Sequence, residues 1–402
     1  MGVTRPAQTP SGLWLTLVCC VLATFFGYDA APILGGGGAL CFNSFSFSSL
    51  KSGAAGCRDR SKSIFGDNPM KKNLIVLALL AAAGAASAQS SVTLYGRVDA
   101  GVGSFKDSIG GDGVTRTKLQ SNILNNSLWG FKGTEDLGNG LKANFVLEAG
   151  MNMDDGTASV AGQTFNRKAT VGLSGNFGTV ELGRNYTAYD SLRGATNNTA
   201  DTNMAVTGDV WAVGGDYANR TNNSVRFDSN TYSGFSGAVA YAFGENKDLN
   251  GTTYTPGRDS TDTLSLHVKY ANGPVLVGYA HQALQAATGT DTKYNLVAGT
   301  YDFGVAKLSA GYNKADRAGS EDQEYQVGVS APFGATTVYF GYANGKQENT
   351  AGVTLEERSG FDLAATYALS KRTTAYAGYK SYEVKNSSKE ATAFGVGVRH
   401  VF

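Results

Sequence analysis

Beyond residue 57 the chain has no cysteine, and beyond residue 88 it has only three prolines. All four cysteines (Cys19, Cys20, Cys41, Cys57) and four of the seven prolines lie in the first 88 positions. The remainder therefore has no disulfide framework and no thiolate metal site. It also lacks an excess of either charge. Residues 89–402 carry 27 basic and 30 acidic side chains, a net charge of −3, which excludes a strongly basic nucleic-acid binder. Histidine is scarce, with only His267, His281 and His400 in the chain. A serine hydrolase would need a serine and a carboxylate converging on one of them, and no G-x-S-x-G element occurs. No enzyme, cofactor or metal centre is expected. The acidic groups Asp154-Asp155 and Glu321-Asp322-Glu324 read as solvated loop charges.

What the chain does have is 53 glycines, 20 tyrosines and 20 phenylalanines, with only 17% charged residues. Abundant glycine and aromatics with little charge point to many short strands and tight turns. The composition breaks at "MKKNLIVLALLAAAGAASAQS". Met70, Lys71 and Lys72 form a positive n-region, 74–83 an apolar core, and 86–88 a small-residue cleavage site, so 70–88 reads as a secretory signal peptide cut between Ala88 and Gln89. Residues 1–69 hold a separate apolar run at 13–26, short for a membrane span. The expectation is that translation starts at Met70 and that 1–69 is not part of the mature protein; a genuine anchor is the alternative.

From Gln89 onward the dominant period is two. In "SVTLYGRVDAGVG", Val92, Leu94, Val98, Ala100 and Val102 share one face, while Thr93, Tyr95, Arg97 and Asp99 share the other. Such alternation marks a half-buried strand. It recurs in "TLSLHVKY", "ATTVYFGYA" and "FDLAATYAL". Turn signals rich in Gly, Asn, Asp and Pro fall at 135–140, 175–178, 233–237, 271–274, 302–304, 331–334 and 369–372. Polar and mostly longer connections fall near 104–123, 151–162, 187–220, 246–260, 286–291, 315–322, 347–356 and 385–390. These fifteen connections join sixteen strands. A tilted membrane strand needs about 9 to 11 residues, and alternating short turns with long loops is the asymmetry of an outer-membrane barrel. The expected fold is all-β, a 16-stranded antiparallel transmembrane β-barrel occupying 89–402. The chain's last stretch, "FGVGVRHVF", fits this expectation. Phe394, Val396, Val398 and Phe402, interrupted by His400, face lipid or a neighbouring subunit, and Arg399 faces water inside. Closure makes that strand obligatory, because it must pair with the first.

The stretches "SVTLYGRVDAGVG", "WGFKGTEDLGNGLKANFVLE", "RKATVGLSGNFGTVELGRNYTAYD" and the terminal "VGVRHVF" resemble the general diffusion porins of Gram-negative bacteria, particularly those of beta-proteobacteria. The resemblance spans 89–402 and none of 1–69. It implies a usually trimeric barrel with an inward-folded third external loop. It also implies a terminal strand, here Phe394, Val396, Val398, His400 and Phe402, read by the outer-membrane assembly machinery.

The third-loop candidate, at 187–219, carries Asp190, Asp201, Asp209 and Asp216 with Arg193 as its one cation, and reads as an acidic lip. For the wall opposite, the family pattern points to Arg97, Arg167, Arg184, Arg220 and Arg226. Alternation independently supports Arg97 and Arg226. It would turn Arg167 and Arg184 toward lipid, where an arginine costs roughly 2 to 4 kcal/mol, unless a bulge or a strand end re-aims them or Lys168 is the inward cation. The family often has an arginine before the tryptophan at "LWG"; here that residue is Leu128. The function expected is an outer-membrane general diffusion porin, a water-filled and weakly charge-selective channel. The alternative is a substrate-specific channel, or a loop-displaying adhesin or binding protein. The partners expected are further copies of the chain, outer-membrane lipids and lipopolysaccharide, the assembly machinery, and small ions and hydrophilic solutes.

Overall fold

The computed structural model describes residues 91–402 except Ala212; the expected signal segment, its cleavage site and residues 1–69 lie outside the described residues. Sixteen long strands dominate. They are β1 (Ser91–Asp107), β2 (Leu128–Gly138), β3 (Leu141–Gly150), β4 (Lys168–Gly175), β5 (Gly178–Tyr186), β6 (Arg220–Asp228), β7 (Phe235–Ala242) and β8 (Thr263–Asn272). The second half comprises β9 (Val275–Leu284), β10 (Thr292–Asp302), β11 (Lys307–Arg317), β12 (Ser320–Phe333), β13 (Thr336–Asn349), β14 (Thr354–Ala368), β15 (Thr373–Val384) and β16 (Glu390–Val401). Each strand pairs antiparallel with its sequence neighbours, and β1 pairs with β16 to close the barrel. The lower half of β1 pairs with β2, while a short strand, Arg116–Ser121, fills the seam beside its upper half.

Closure extends to the last residue. The Phe402 N–H donates to Gly96 O at 3.0 Å, and the Gly96 N–H donates back at 3.1 Å. A sheet with no free edge is the form that lipid tolerates, because hydrocarbon offers no partner to an unpaired backbone. The alternation is also the one a barrel in lipid requires. On β16, Phe394, Val396 and Val398 are exposed while Ala393 and Gly395 are buried; on β1, Val92, Leu94 and Val102 are exposed while Asp99 is fully buried. Among the described residues no helix is long and apolar enough to cross a membrane.

Six of the seven short turns fall where the turn residues place them; the one expected at 233–237 lies earlier, at 229–234, and 235–237 already belongs to β7. The two-residue turn between β2 and β3 uses Asn139 and Gly140, both at positive φ, as a type I′ hairpin requires. Two of the expected loops are mostly strand. The stretches 315–322 and 347–356 run on as β11, β12, β13 and β14, leaving connections of only two and four residues. Their polar composition made them look like loops, but the charges pair with one another along and across these strands: Lys314 with Asp316 and Glu321, Arg317 with Asp322, Lys346 with Glu348, Arg358 with Glu356. Of the 321–324 acids, Asp322 and Glu324 are buried rather than solvated.

Candidate functional site

The longest connection, 187–219, opens with a capped helix. Thr187 Oγ1 accepts from the Asp190 N–H at 3.2 Å and starts α1 (Ala188–Thr196), which buries Ala188, Tyr189, Leu192 and Thr196. That face packs on β8 to β11. The Tyr189 hydroxyl donates to Asn313 Oδ1 at 2.7 Å, its N–H donates to Ser265 Oγ at 2.8 Å, and its ring lies among Leu296, Ala280, Ala298 and Ala315. Small side chains on the inner face of these strands leave room for the helix.

The rest of the connection is held by polar groups of later strands. Gln326 on β12 accepts from the Asn198 N–H (3.0 Å) and the Thr207 hydroxyl (2.9 Å) and donates to Thr196 O (2.7 Å). Asp362 on β14 accepts from the Val206 N–H at 2.9 Å and from the Thr199 hydroxyl. Gln282 on β9 bonds both backbone groups of Ala218. One turn of helix, α2 (Thr207–Val210), completes the segment. Ser265, Gln282, Asn313, Gln326 and Asp362 are all buried, whereas Leu264, Tyr325, Val327, Phe361 and Leu363 beside them in sequence are exposed. The contacts are thus with the strand face opposite the lipid-type one. Met204 adds an apolar contact with Ile123 and Leu124 of the 108–127 connection, and the Asn203 N–H donates to Leu124 O at 2.7 Å.

Across from α1 lie the ends of β3 to β6, where cations gather. The Arg167 guanidinium, 8% exposed, pairs with Glu148 at 2.8 Å and donates to the Tyr186 hydroxyl oxygen at 2.7 Å. Arg220 donates to the same oxygen at 2.7 Å and stacks over the ring at 4.1 Å. Arg226 holds Asp228 with two bonds of 2.7 Å and donates to the carbonyls of Tyr186 and Thr187. Lys168 pairs with Glu181 at 2.8 Å. Arg97 donates to Asn126 O at 2.7 Å. Between this wall and α1 is a cavity of about 410 Å³ lined by Lys168, Tyr186, Asp190, Asp201 and Arg226 among others.

Arg167 therefore joins the basic group despite its parity, because it precedes the first residue of β4 and escapes the pleat. Arg184 does not join it in the same way. It sits at a register shift between β5 and β6, donating to Asn166 O and Asn222 Oδ1, both at 2.7 Å. Of the four loop aspartates, Asp190 and Asp201 line the cavity. Asp209 is ion-paired to Lys380 of β15 at 2.6 Å, and Asp216 accepts from the Tyr217 N–H. Arg193 belongs to no lip: it lies between the Trp211 and Tyr217 rings, 5.6 and 4.9 Å from their centroids. Tyr217 in turn donates to Asp190 at 2.5 Å.

The two cavity carboxyls are held above the usual carboxylate range. Burial is the chief cause for both; the Tyr217 hydroxyl partly offsets it at Asp190, and the fields of Arg193, Arg97, Arg167 and Arg220 do so at Asp201. Sequence reasoning missed Tyr186, Glu148 and Lys380. Glu148 and Lys380 stand on the inward parity of their strands and could have been found by it. Tyr186 could not, because its role depends on which arginines reach it. The three histidines do not converge. His267 is buried against Ala188 O, His281 bonds Asn295 on a neighbouring strand, and His400 meets Thr373 on the exposed face.

A closed barrel with an apolar outside and a charged, water-accessible inside defines a membrane channel protein of the outer-membrane type. The sequence comparisons place it further: the Gram-negative porin family matches residues 74–387, and the chain belongs to that family. It is 36% identical over 369 residues to outer membrane porin protein 32 of Delftia acidovorans. It is 34% identical over 400 residues to an outer membrane porin protein of Bordetella pertussis. Each of these matches covers 83% of this chain and all of the relative. Among solved structures it is similar to an anion-selective porin from Comamonas acidovorans, with a TM-score of 0.66 and 31% identity over 78% of this chain and all of that one. Residues 91–402 are thus an outer-membrane porin barrel, and the function is that of a general diffusion porin.

Proposed function

We propose that the connection 187–219 lies within the lumen and narrows it, and that the cavity between α1 and the β3–β6 wall is the channel's constriction. The observation that carries this is the cavity of about 410 Å³ with Lys168, Tyr186 and Arg226 on its wall side and Asp190 and Asp201 on its loop side, Asp201 lying in the fields of Arg97, Arg167 and Arg220. Opposed charges across a narrow aqueous gap set up a transverse field that biases small ions without trapping them. Three of the wall cations are already paired, Arg167 with Glu148, Lys168 with Glu181 and Arg226 with Asp228, so the bias is weak. Its sign is toward anions, because the wall's guanidinium groups stay charged and burial opposes the ionisation of both loop carboxyls. The similar structure from Comamonas acidovorans is described as anion-selective.

The chain works as a homotrimer in this reading; an outer membrane protein of Vibrio cholerae with the same fold is described in a trimer form. The measurement that tests the channel reading is the zero-current potential of purified protein in planar bilayers under a KCl gradient, with liposome swelling in sugars of graded size. A chloride-favouring potential and a smooth decline of swelling with solute size are expected. Saturation by a single solute would establish the specific-channel alternative instead.

A further inference from the structure

We infer that Tyr186 is a positioning and specificity residue of this channel, a hydroxyl that clamps two arginines together and is left with only a proton to offer. Three arginines converge on this one residue. Arg167 and Arg220 each donate to its hydroxyl oxygen at 2.7 Å, and Arg226 donates to its backbone carbonyl at 2.9 Å. They come from different places in the chain: the lead-in to β4, the first position of β6, and the middle of β6. Arg220 stands opposite Tyr186 in the β5–β6 register and stacks on its ring. Arg167 is braced from behind by Glu148, which also accepts from the Tyr95 hydroxyl at 3.0 Å.

A phenol oxygen has two lone pairs and one proton. Both lone pairs are taken by guanidinium donors here, so the group has no acceptor capacity left and its O–H can only donate. Among the described residues nothing accepts from it. Tyr186 also lines the cavity, so the proton is available to a species passing there. Two consequences follow. First, two like charges that would otherwise spread apart share one small acceptor, which concentrates positive potential at a single level of the channel. Second, a passing anion meets a cluster of donors, whereas a passing cation finds no oxygen lone pair at Tyr186 to replace its water. Selection by hydrogen bonding is therefore added to selection by charge.

This inference rests on the constriction reading above, and the two are separable by experiment. Tyr186→Phe keeps the ring on which Arg220 stacks and leaves every formal charge in place, but removes the oxygen. The chloride-to-potassium permeability ratio, taken from the zero-current potential at low salt, is expected to fall roughly fivefold, the factor that one net hydrogen bond is worth. Assembly is checked by heat-modifiable mobility on gels. Arg167→Gln with Arg220→Gln serves as the reference. If the double variant shifts the potential and Tyr186→Phe does not, the charges suffice and the role given to Tyr186 is wrong. If neither shifts it, the constriction reading itself fails. Should Tyr186→Phe not assemble, Arg220→Lys tests the clamp with the tyrosine intact: it keeps the charge but loses the planar stack and fork, and an unchanged ratio there would also overturn the proposal.

Discussion

At the scale of single residues, the candidate site is a matter of which charges are already paired. Arg226 looks from the sequence like a selectivity arginine, but it is spent on Asp228 and on the carbonyls that begin the 187–219 connection. Arg167 and Arg220 do not line the cavity themselves but act on its carboxyls, both on Asp201 and Arg220 also on Asp190. Replacing both with glutamine is expected to move the zero-current potential toward cations, and Asp201→Asn to move it toward anions. Both shifts should shrink at molar salt, where the screening length falls to about 3 Å. Acid acts in the same sense as Asp201→Asn. Because Asp190 and Asp201 sit above the usual carboxylate range, they take up protons before exposed carboxylates do as the pH is lowered. The loop loses negative charge while the arginines keep theirs. Anion preference should therefore rise as the pH is lowered, beginning before exposed carboxylates titrate, and the rise should be smaller in Asp201→Asn. A flat profile in the wild type would count against carboxylates facing the permeating ion.

At the scale of elements, α1 and the stretch after it are held by a wall made to receive them. Asp362 is fully buried and accepts from Thr199 and Val206. Asp362→Ala leaves both donors unpaired at about 1 to 3 kcal/mol each, so the segment should loosen without the barrel failing, seen as noisier single-channel current and faster proteolysis within 187–219. Gly328 on β12 has a different part. A Cβ there would come within 2.6 to 2.7 Å of Asn198, including its backbone. Gly328→Ala is expected to push this stretch off the wall and raise conductance, and so is deletion of 197–207. Unchanged conductance in a folded deletion variant would place the segment outside the lumen.

At the scale of the whole molecule, the barrel depends on its last strand. Phe402 bonds Gly96 through both backbone groups, and eleven residue pairs from Arg97↔Val401 to Asp107↔Ala391 form the closing seam. Deleting Phe402 removes the lowest rung, and Val396→Arg puts a charge on the lipid face at a cost of roughly 2 to 4 kcal/mol near the midplane. Both changes should lower the yield of folded, heat-modifiable protein in the outer membrane while leaving export intact; normal yield on unheated gels would refute this. Gly96 is part of the same closure, since a Cβ there would lie 2.5 Å from the Phe402 ring and 2.6 Å from Leu128 O.

Period-two alternation and turn residues by themselves determined the strand count, six of the seven tight turns, and the exposed apolar positions Val92, Leu94 and Val102 of β1 and Phe394, Val396 and Val398 of β16. Those features are local: side chains alternate along any strand, and a tight turn requires particular backbone angles. Polar stretches misled at 315–322 and 347–356, because charge reports contact with water and not the absence of a strand. The site was only half legible for a further reason. Arg167 turns inward only because the strand starts one residue after it. Arg193 is half-buried and kept from the lip only because Trp211 and Tyr217, some twenty residues on, fold back against it. Tyr186 becomes a hub only when β5, β6 and the lead-in to β4 come together. Pairings of that kind are set by which strands are neighbours and by where a 33-residue connection comes to rest, and no local pattern encodes them.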